Sequence, residues 1–244
     1  MSNKPLFGRD AKEFLKNLGG DSSAACECAE NGVMIRALAP SGGEKVVVRV
    51  NVANPSGSEQ VEFLIMNEHA EALGLTVGHI EEELLPELEY YAEVARAYSS
   101  VCASFAYTPS SLRALCRKVM QKGFARDVCE DAIQCVRARG FVNESEIAHR
   151  RAQLCVEKRW GRSRILMKLR EEGFDDDSLK DAKKYLGEVD FIASCCELIQ
   201  KRFGKVSADP HERELICASL ARMGHSISDI RRAMEMCERQ IEPE

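Results

Sequence analysis

Three stretches decide how this chain folds: SLRALCRKVMQKGF at 111–124, GRSRILMKLREEGF at 161–174 and RELICASLARMGHS at 213–226. Aligned on Gly123, Gly173 and Gly224, which stand 50 and 51 residues apart, they carry apolar residues at the same offsets. Eight residues before the glycine are Leu115, Ile165 and Ile216; seven before, Cys116, Leu166 and Cys217; four before, Val119, Leu169 and Leu220. The register resumes beyond it, with Cys129, Leu179 and Ile230 six residues after, Ala132, Ala182 and Ala233 nine after, and Val136, Leu186 and Cys237 thirteen after. Separations of three and four place these side chains on one face of a helix on each side of the glycine. The glycine itself supplies the left-handed conformation that ends the first helix. One further helix fills each period, so the pattern predicts a tandem array of three three-helix repeats.

Upstream the period changes. GVMIRALA, EKVVVRVNVA and QVEFLIM are β-branched runs separated by APSGG and NPSGS, which predicts three antiparallel strands over roughly 32–67. NEHAEAL at 67–73 reads as a short helix ended by Gly74, and Pro86 disfavours an unbroken helix before about Glu87. The expected architecture is therefore mainly α, with a small antiparallel β-rich N-terminal domain preceding the repeats. The boundaries read as a flexible segment at 1–30 with a short initial helix and the linker GGDSSAACEC, a sheet-plus-helix domain at 31–90, and repeats at 91–142, 143–187 and 188–240. Expected helix caps are Thr108 followed by Pro109, Asn143 with Glu146, and Ser226.

The chain has 244 residues, 34 basic against 39 acidic, for a net charge of −5, and 45% of it is hydrophobic, which excludes disorder as the main state. The total hides an asymmetry: residues 1–91 carry 7 basic and 15 acidic side chains, whereas the rest carries 27 and 24. No signal-peptide pattern opens the chain and no run of 18 uncharged apolar residues follows, so no membrane association and a cytoplasmic location are expected. The eleven cysteines include no Cys-x-x-Cys; only Cys26 with Cys28 comes close to the short paired spacing of a zinc site, and no metal or other cofactor is expected. Most of the others fall in helical patterns, often on apolar faces, where a free thiol behaves as a small hydrophobe, as suits a reducing compartment.

No enzyme constellation emerges. The histidines form no H-E-x-x-H, and the phosphate-binding glycine loops and the G-x-S-x-G elbow are missing. Glu81–Glu83 and Asp175–Asp177 read as solvated faces and favourable charges at helix N-termini. The basic residues are more telling. Arg150, Arg151, Lys158, Arg159, Arg162, Arg164, Lys168 and Arg170 are opposed only by Glu157, an excess of +7 in 22 residues, astride a helix break marked by Trp160 and Gly161. Several guanidinium groups converging on a repeat surface suit an extended anionic partner. Trp160 reads first as a packing anchor and second as a base-stacking platform.

The three glycine-centred segments resemble the tandem repeats of the bacterial RecX family, regulators of the RecA recombinase. The second copy matches best, through Gly161, Arg164, Ile165, Leu169, Gly173 and Phe174; Leu73, Gly74, Leu75 and Gly78 resemble an element of the family's N-terminal extension. Two departures stand out. Asn143, Glu144 and Ile147, ahead of Ala148, stand where the family commonly has an acidic pair and an aromatic followed by alanine, and His225 replaces the usual aromatic after glycine. The resemblance implies a monomeric, non-enzymatic protein that binds the RecA filament and inhibits its ATPase, strand exchange and filament extension, modulating recombination, DNA repair and the SOS response. The eight cations are then the surface for the filament, with single- or double-stranded DNA as a further partner. Two alternatives stay open: a helical-repeat DNA-binding protein, and a scaffold that recruits a protein through the edge of its N-terminal sheet.

Overall fold

Alternation along the β-branched runs builds the sheet. In the computed structural model, which describes residues 32–54, 57–140 and 142–239, β1 (Gly32–Pro40), β2 (Lys45–Asn54) and β3 (Gly57–Met66) form an antiparallel meander. Val46, Val48 and Val50 of β2 all point inward, while Arg49 points out and pairs with its cross-strand neighbour Glu62 at 2.7 Å. On β1 the inward spacing is two and then three, from Val33 to Ile35 to Leu38, because a bulge shifts the register between Ile35 and Ala37. A fourth strand, β4 (Gly78–Ile80), pairs with Val33–Ile35 and gives the order β3-β2-β1-β4. The sheet thus has four strands rather than the three expected, since a three-residue strand is too short to show a period-two signature. The expected segment 1–30, with its initial helix and the Cys26/Cys28 pair, lies outside the described residues.

Ten α-helices are found among the described residues. Helix α1 (Asn67–Ala72) follows β3; a 3₁₀ turn at Glu82–Leu84 then leads into α2 (Leu85–Tyr107). Pro86 lies in the first turn of α2, where its missing N–H breaks no helical bond. The rest are α3 (Leu112–Met120), α4 (Arg126–Arg139), α5 (Glu144–Glu157), α6 (Arg162–Glu171), α7 (Lys180–Glu188), α8 (Phe191–Arg202), α9 (Pro210–Arg222) and α10 (Ile227–Arg239).

The chain divides into two compact units, residues 1–107 with 116–141, and residues 108–115 with 142–244. In the first, the sheet buries Val33, Val48, Phe63 and Ile65 together with Ala70, Leu75 and Leu88, and α4 lies along α2, where Tyr90 donates to Asp131 at 2.8 Å. The second holds two clusters, one around Ile165, Leu169, Leu179 and Leu186 and one around Ile199, Ile216, Leu220 and Ile230. Of the eighteen aligned apolar positions, fifteen are buried, and the remaining three, Cys116, Leu166 and Cys217, are half-buried. Gly123, Gly173 and Gly224 have φ of +99°, +97° and +90°, outside what a side-chain-bearing residue adopts readily.

Two caps stand where the sequence places them. Asn143 accepts from the Glu146 N–H at 3.2 Å and Ser226 from the Asp229 N–H at 3.1 Å. The third does not. Helix α3 begins at Leu112, and Ser111 rather than Thr108 takes its orphan donor, accepting from the Ala114 N–H at 3.1 Å. Tertiary bonds fix that start: Ser111 donates to the Glu172 carbonyl at 2.6 Å, and Arg151 donates to the carbonyl of Pro109 at 2.9 Å.

Candidate interaction surface

Helix α5 ends in a left-handed turn of the kind that normally carries glycine. The Trp160 N–H donates to the Cys155 carbonyl at 3.1 Å and the Arg159 N–H to that of Val156 at 2.8 Å, so the last carbonyls are satisfied in a Schellman pattern. The residue at its left-handed position is Arg159, with φ +58°, the one non-glycine residue of positive φ among the described residues. That conformation costs roughly 1–2 kcal/mol for a residue with a Cβ. His225 holds it from across the unit, donating from Nε2 to the Arg159 carbonyl at 3.0 Å. Burial holds the His225 imidazole below its ordinary pKa, so it is neutral here and its second nitrogen is the acceptor.

The next residues seat this corner on the third glycine turn. Gly161 donates to the Met223 carbonyl at 2.8 Å, and Ser163 donates to the Gly224 carbonyl through its N–H at 3.2 Å and its hydroxyl at 2.8 Å. A Cβ on Gly161 would fall inside the Gly224 carbonyl, so glycine is needed here for close approach. Trp160 packs against the core of the first cluster, and the Arg164 guanidinium lies over its ring at 4.1 Å from the centroid. It is a packing anchor, and its visible face is covered by the arginine.

The eight cations expected to act together are placed unequally. Arg151 and Lys168 both reach Glu172, at 3.3 and 3.6 Å, Arg170 reaches Asp176 at 3.5 Å, and Arg159 reaches Glu197 at 2.6 Å. The Arg170–Asp176 and Arg159–Glu197 pairs are exposed and worth about 0–1 kcal/mol each, whereas Glu172 is half-buried. Arg150, Lys158 and Arg162 make no ion pair with described residues. Counting Glu157 and the three carboxylates that tertiary folding brings in, eight cations leave an excess of four. Lys158 and Arg159 line a cleft of about 540 Å³ with Glu197, Lys201 and Arg202, whereas Arg162 lies on another, of about 590 Å³, beside Gly187, Asp190 and Asp229.

The curated protein "Regulatory protein RecX" from Herminiimonas arsenicoxydans is 30% identical to this chain over 128 residues, covering 51% of this chain and 81% of that protein. The chain belongs to the RecX family. Two solved structures share the fold at 15% identity: a crystal structure of regulatory protein RecX, with a TM-score of 0.64 over 85% of this chain and 99% of that one, and RecX from Lactobacillus salivarius, with 0.52 over 60% and 97%. No protein-family model matches. The relatives are named regulatory proteins, and in this RecX-family chain no described helix is long and apolar enough to cross a membrane.

Sequence reasoning missed Lys201 and Arg202 of α8, which extend the basic cleft of this RecX-family protein beyond the 149–170 window. Their signal was a Lys-Arg pair in the last turn of a helix, which reads equally well as a charge matched to the helix dipole. The carboxylate triplet at 175–177 is structural, as expected: Asp175 accepts from the Ser178 N–H at 2.9 Å, and Asp176 and Asp177 pair with Lys183 and Lys180. The described cysteines are free thiols, and burial pushes Cys129 and Cys237 up to about 11 and Cys195 up to about 12, as inert core residues require.

Proposed function

We propose that this RecX-family chain is a cytoplasmic, monomeric, non-enzymatic regulator that binds the RecA filament on DNA. Bound there, it limits RecA's ATPase, strand exchange and filament extension, and so modulates recombination, DNA repair and the SOS response. The observation that carries the reading is the family membership. Helices α2–α4, α5–α7 and α8–α10 serve as three successive repeats, bounded near 91–142, 143–187 and 188–240. This grouping is supported by the shared burial at the aligned positions and by the matching glycine conformations.

The filament meets the basic surface of Arg150, Arg151, Lys158, Arg159, Arg162, Arg164, Lys168 and Arg170. Arg159 is its centre: strain retained at one residue, when glycine would relieve it, marks a side chain kept for what it does. Its cleft adds Lys201 and Arg202. The test is RecA's ATPase on single-stranded DNA with this protein titrated in. The wild-type chain should inhibit; a chain with Arg150, Lys158, Arg159 and Arg162 all changed to Glu should not, while keeping its helical spectrum. Unchanged inhibition by that variant would refute the placement. A chain acting chiefly by binding DNA would instead bind DNA without RecA, with an affinity that falls steeply as salt rises.

A further inference from the structure

Helix α1 is only six residues long, yet its Glu68 carries a carboxylate oxygen, Oε1, that is shut off from solvent and has no hydrogen-bond partner among the described residues. Buried polar atoms are ordinarily paired, and this one calls for an account. The RecA reading does not use this region, which lies within the first unit. Facing α1 is Cys135 of α4, whose Sγ stands 3.9 Å from His69 Nε2. Glu68, His69 and Cys135 each offer a ligand atom, and the three atoms lie within 4.8 Å of one another.

We propose that Glu68, His69 and Cys135 bind a zinc-class divalent ion, with the fourth tetrahedral position open to water. Zinc held by one sulfur at about 2.3 Å and one nitrogen at about 2.0 Å separates those two atoms by roughly 3.6 Å. The observed 3.9 Å between these two atoms needs a closure of a few tenths of an ångström, and the three ligand atoms, all within 4.8 Å of one another, close by up to about 1 Å on binding. One thiol, one imidazole and one carboxylate form a borderline-soft donor set that suits zinc and not magnesium or calcium.

The supporting groups are in place. Arg139 holds the other Glu68 oxygen at 2.6 Å and also pairs with Glu44, which orients the carboxylate and leaves Oε1 free. The Tyr91 ring lies against the imidazole, 4.3 Å between centroids. Burial holds His69 below its ordinary pKa, so it is neutral and its nitrogen is available as a ligand. Burial and the adjoining Glu68 carboxylate push the Cys135 thiol up to about 12. On binding, the thiol proton leaves to solvent and the thiolate takes the metal.

The experiment is titration of the metal-stripped full chain with Co²⁺, followed by displacement with Zn²⁺. One Co²⁺ per chain should bind, give a thiolate-to-cobalt charge-transfer band, and be displaced by Zn²⁺. In Cys135→Ala the band should vanish. In His69→Gln affinity should fall by at least about a hundredfold, the upper end of what loss of a mere outer hydrogen-bond partner costs. Far-UV circular dichroism checks both variants, and if Cys135→Ala loses helicity, His69→Gln decides. A wild-type chain without the band would overturn the proposal. So would a band that survives in Cys135→Ala, which would place the sulfur ligand elsewhere, or an unchanged affinity in His69→Gln.

Discussion

Alanine at Gly224 should destabilise the protein far more than alanine at Gly123, although the two glycines have φ of +90° and +99° and occupy matching places in the sequence pattern. The backbone term is shared, about 1–2 kcal/mol for a Cβ in the left-handed region. The surroundings differ. A Cβ on Gly123 would meet nothing within 4 Å, whereas one on Gly224 would lie 2.6 Å from the Arg164 nitrogen and 3.0 Å from its Cα. Those are backbone atoms, so room is made only by lifting the start of α6 off the turn. That strains the bonds from Gly161 to Met223 and from Ser163 to Gly224. With overpacking at about 1–3 kcal/mol and each weakened hydrogen bond at about 0.5–1.5, Gly224→Ala should cost at least about 3 kcal/mol in all. Gly173→Ala should fall between: its Cβ would meet the Ser111 hydroxyl at 2.9 Å and Arg113 Cβ at 3.1 Å, side-chain atoms that can yield, for about 2–3 kcal/mol. Urea unfolding measures all three by circular dichroism. The single tryptophan, Trp160, also reports by fluorescence on the unit that holds Gly173 and Gly224. A Gly224→Ala penalty no larger than that of Gly123→Ala would refute the seating of α6 on the third turn as a source of stability.

Arg159→Gly should raise the urea midpoint, by about 1 kcal/mol in stability, because glycine adopts the left-handed position without strain, while inhibition of RecA weakens; a drop in stability would show that Arg159 is not strained. Stability should also depend on pH through His225. Its folded pKa lies below its ordinary value, so the unfolded chain takes up the proton first, and stability present above about pH 6.5 is lost as pH falls below it. His225→Phe should flatten that slope in the Trp160 fluorescence midpoint, and an unchanged slope would point to other groups. Asn143→Ala should lower stability by about 1 kcal/mol through loss of the cap on α5, read by the same denaturation.

Much of the helical half was legible in the sequence because helix burial leaves a local, periodic trace. Leu115, Ile165 and Ile216 are buried for the reason that makes them visible at a fixed offset from glycine: one face of a helix must leave water. The strands β1–β3 announced themselves by alternation, and β4 did not because three residues carry no period. The candidate surface was half legible. A run of eight cations is plain in the sequence, but Glu172, Asp176 and Glu197, which pair with four of them, and Lys201 and Arg202, which extend the cleft, come from other turns and helices. The cluster of Glu68, His69 and Cys135 was invisible for a related reason. Spacing rules find metal ligands that are close along the chain, and Cys135 lies 66 residues from His69.

Properties set within one turn of helix or one pair of strands are written locally: which segments are helical, which faces are apolar, where a left-handed glycine ends a helix, and where a capping side chain such as Asn143 stands. Relations between segments have no local pattern and arise only when the elements meet. Ser111 replaced Thr108 as a cap because the Glu172 carbonyl reached it. Arg159 is held in a glycine's conformation because His225 grips its carbonyl from 66 residues away. Gly224 is closely packed, where Gly123 is not, because the backbone of Arg164 rests against it. Local patterns fix the free energy of forming each element, whereas the meeting of elements depends on packing and hydrogen bonds summed over distant residues, and there two glycines alike in sequence become different in consequence.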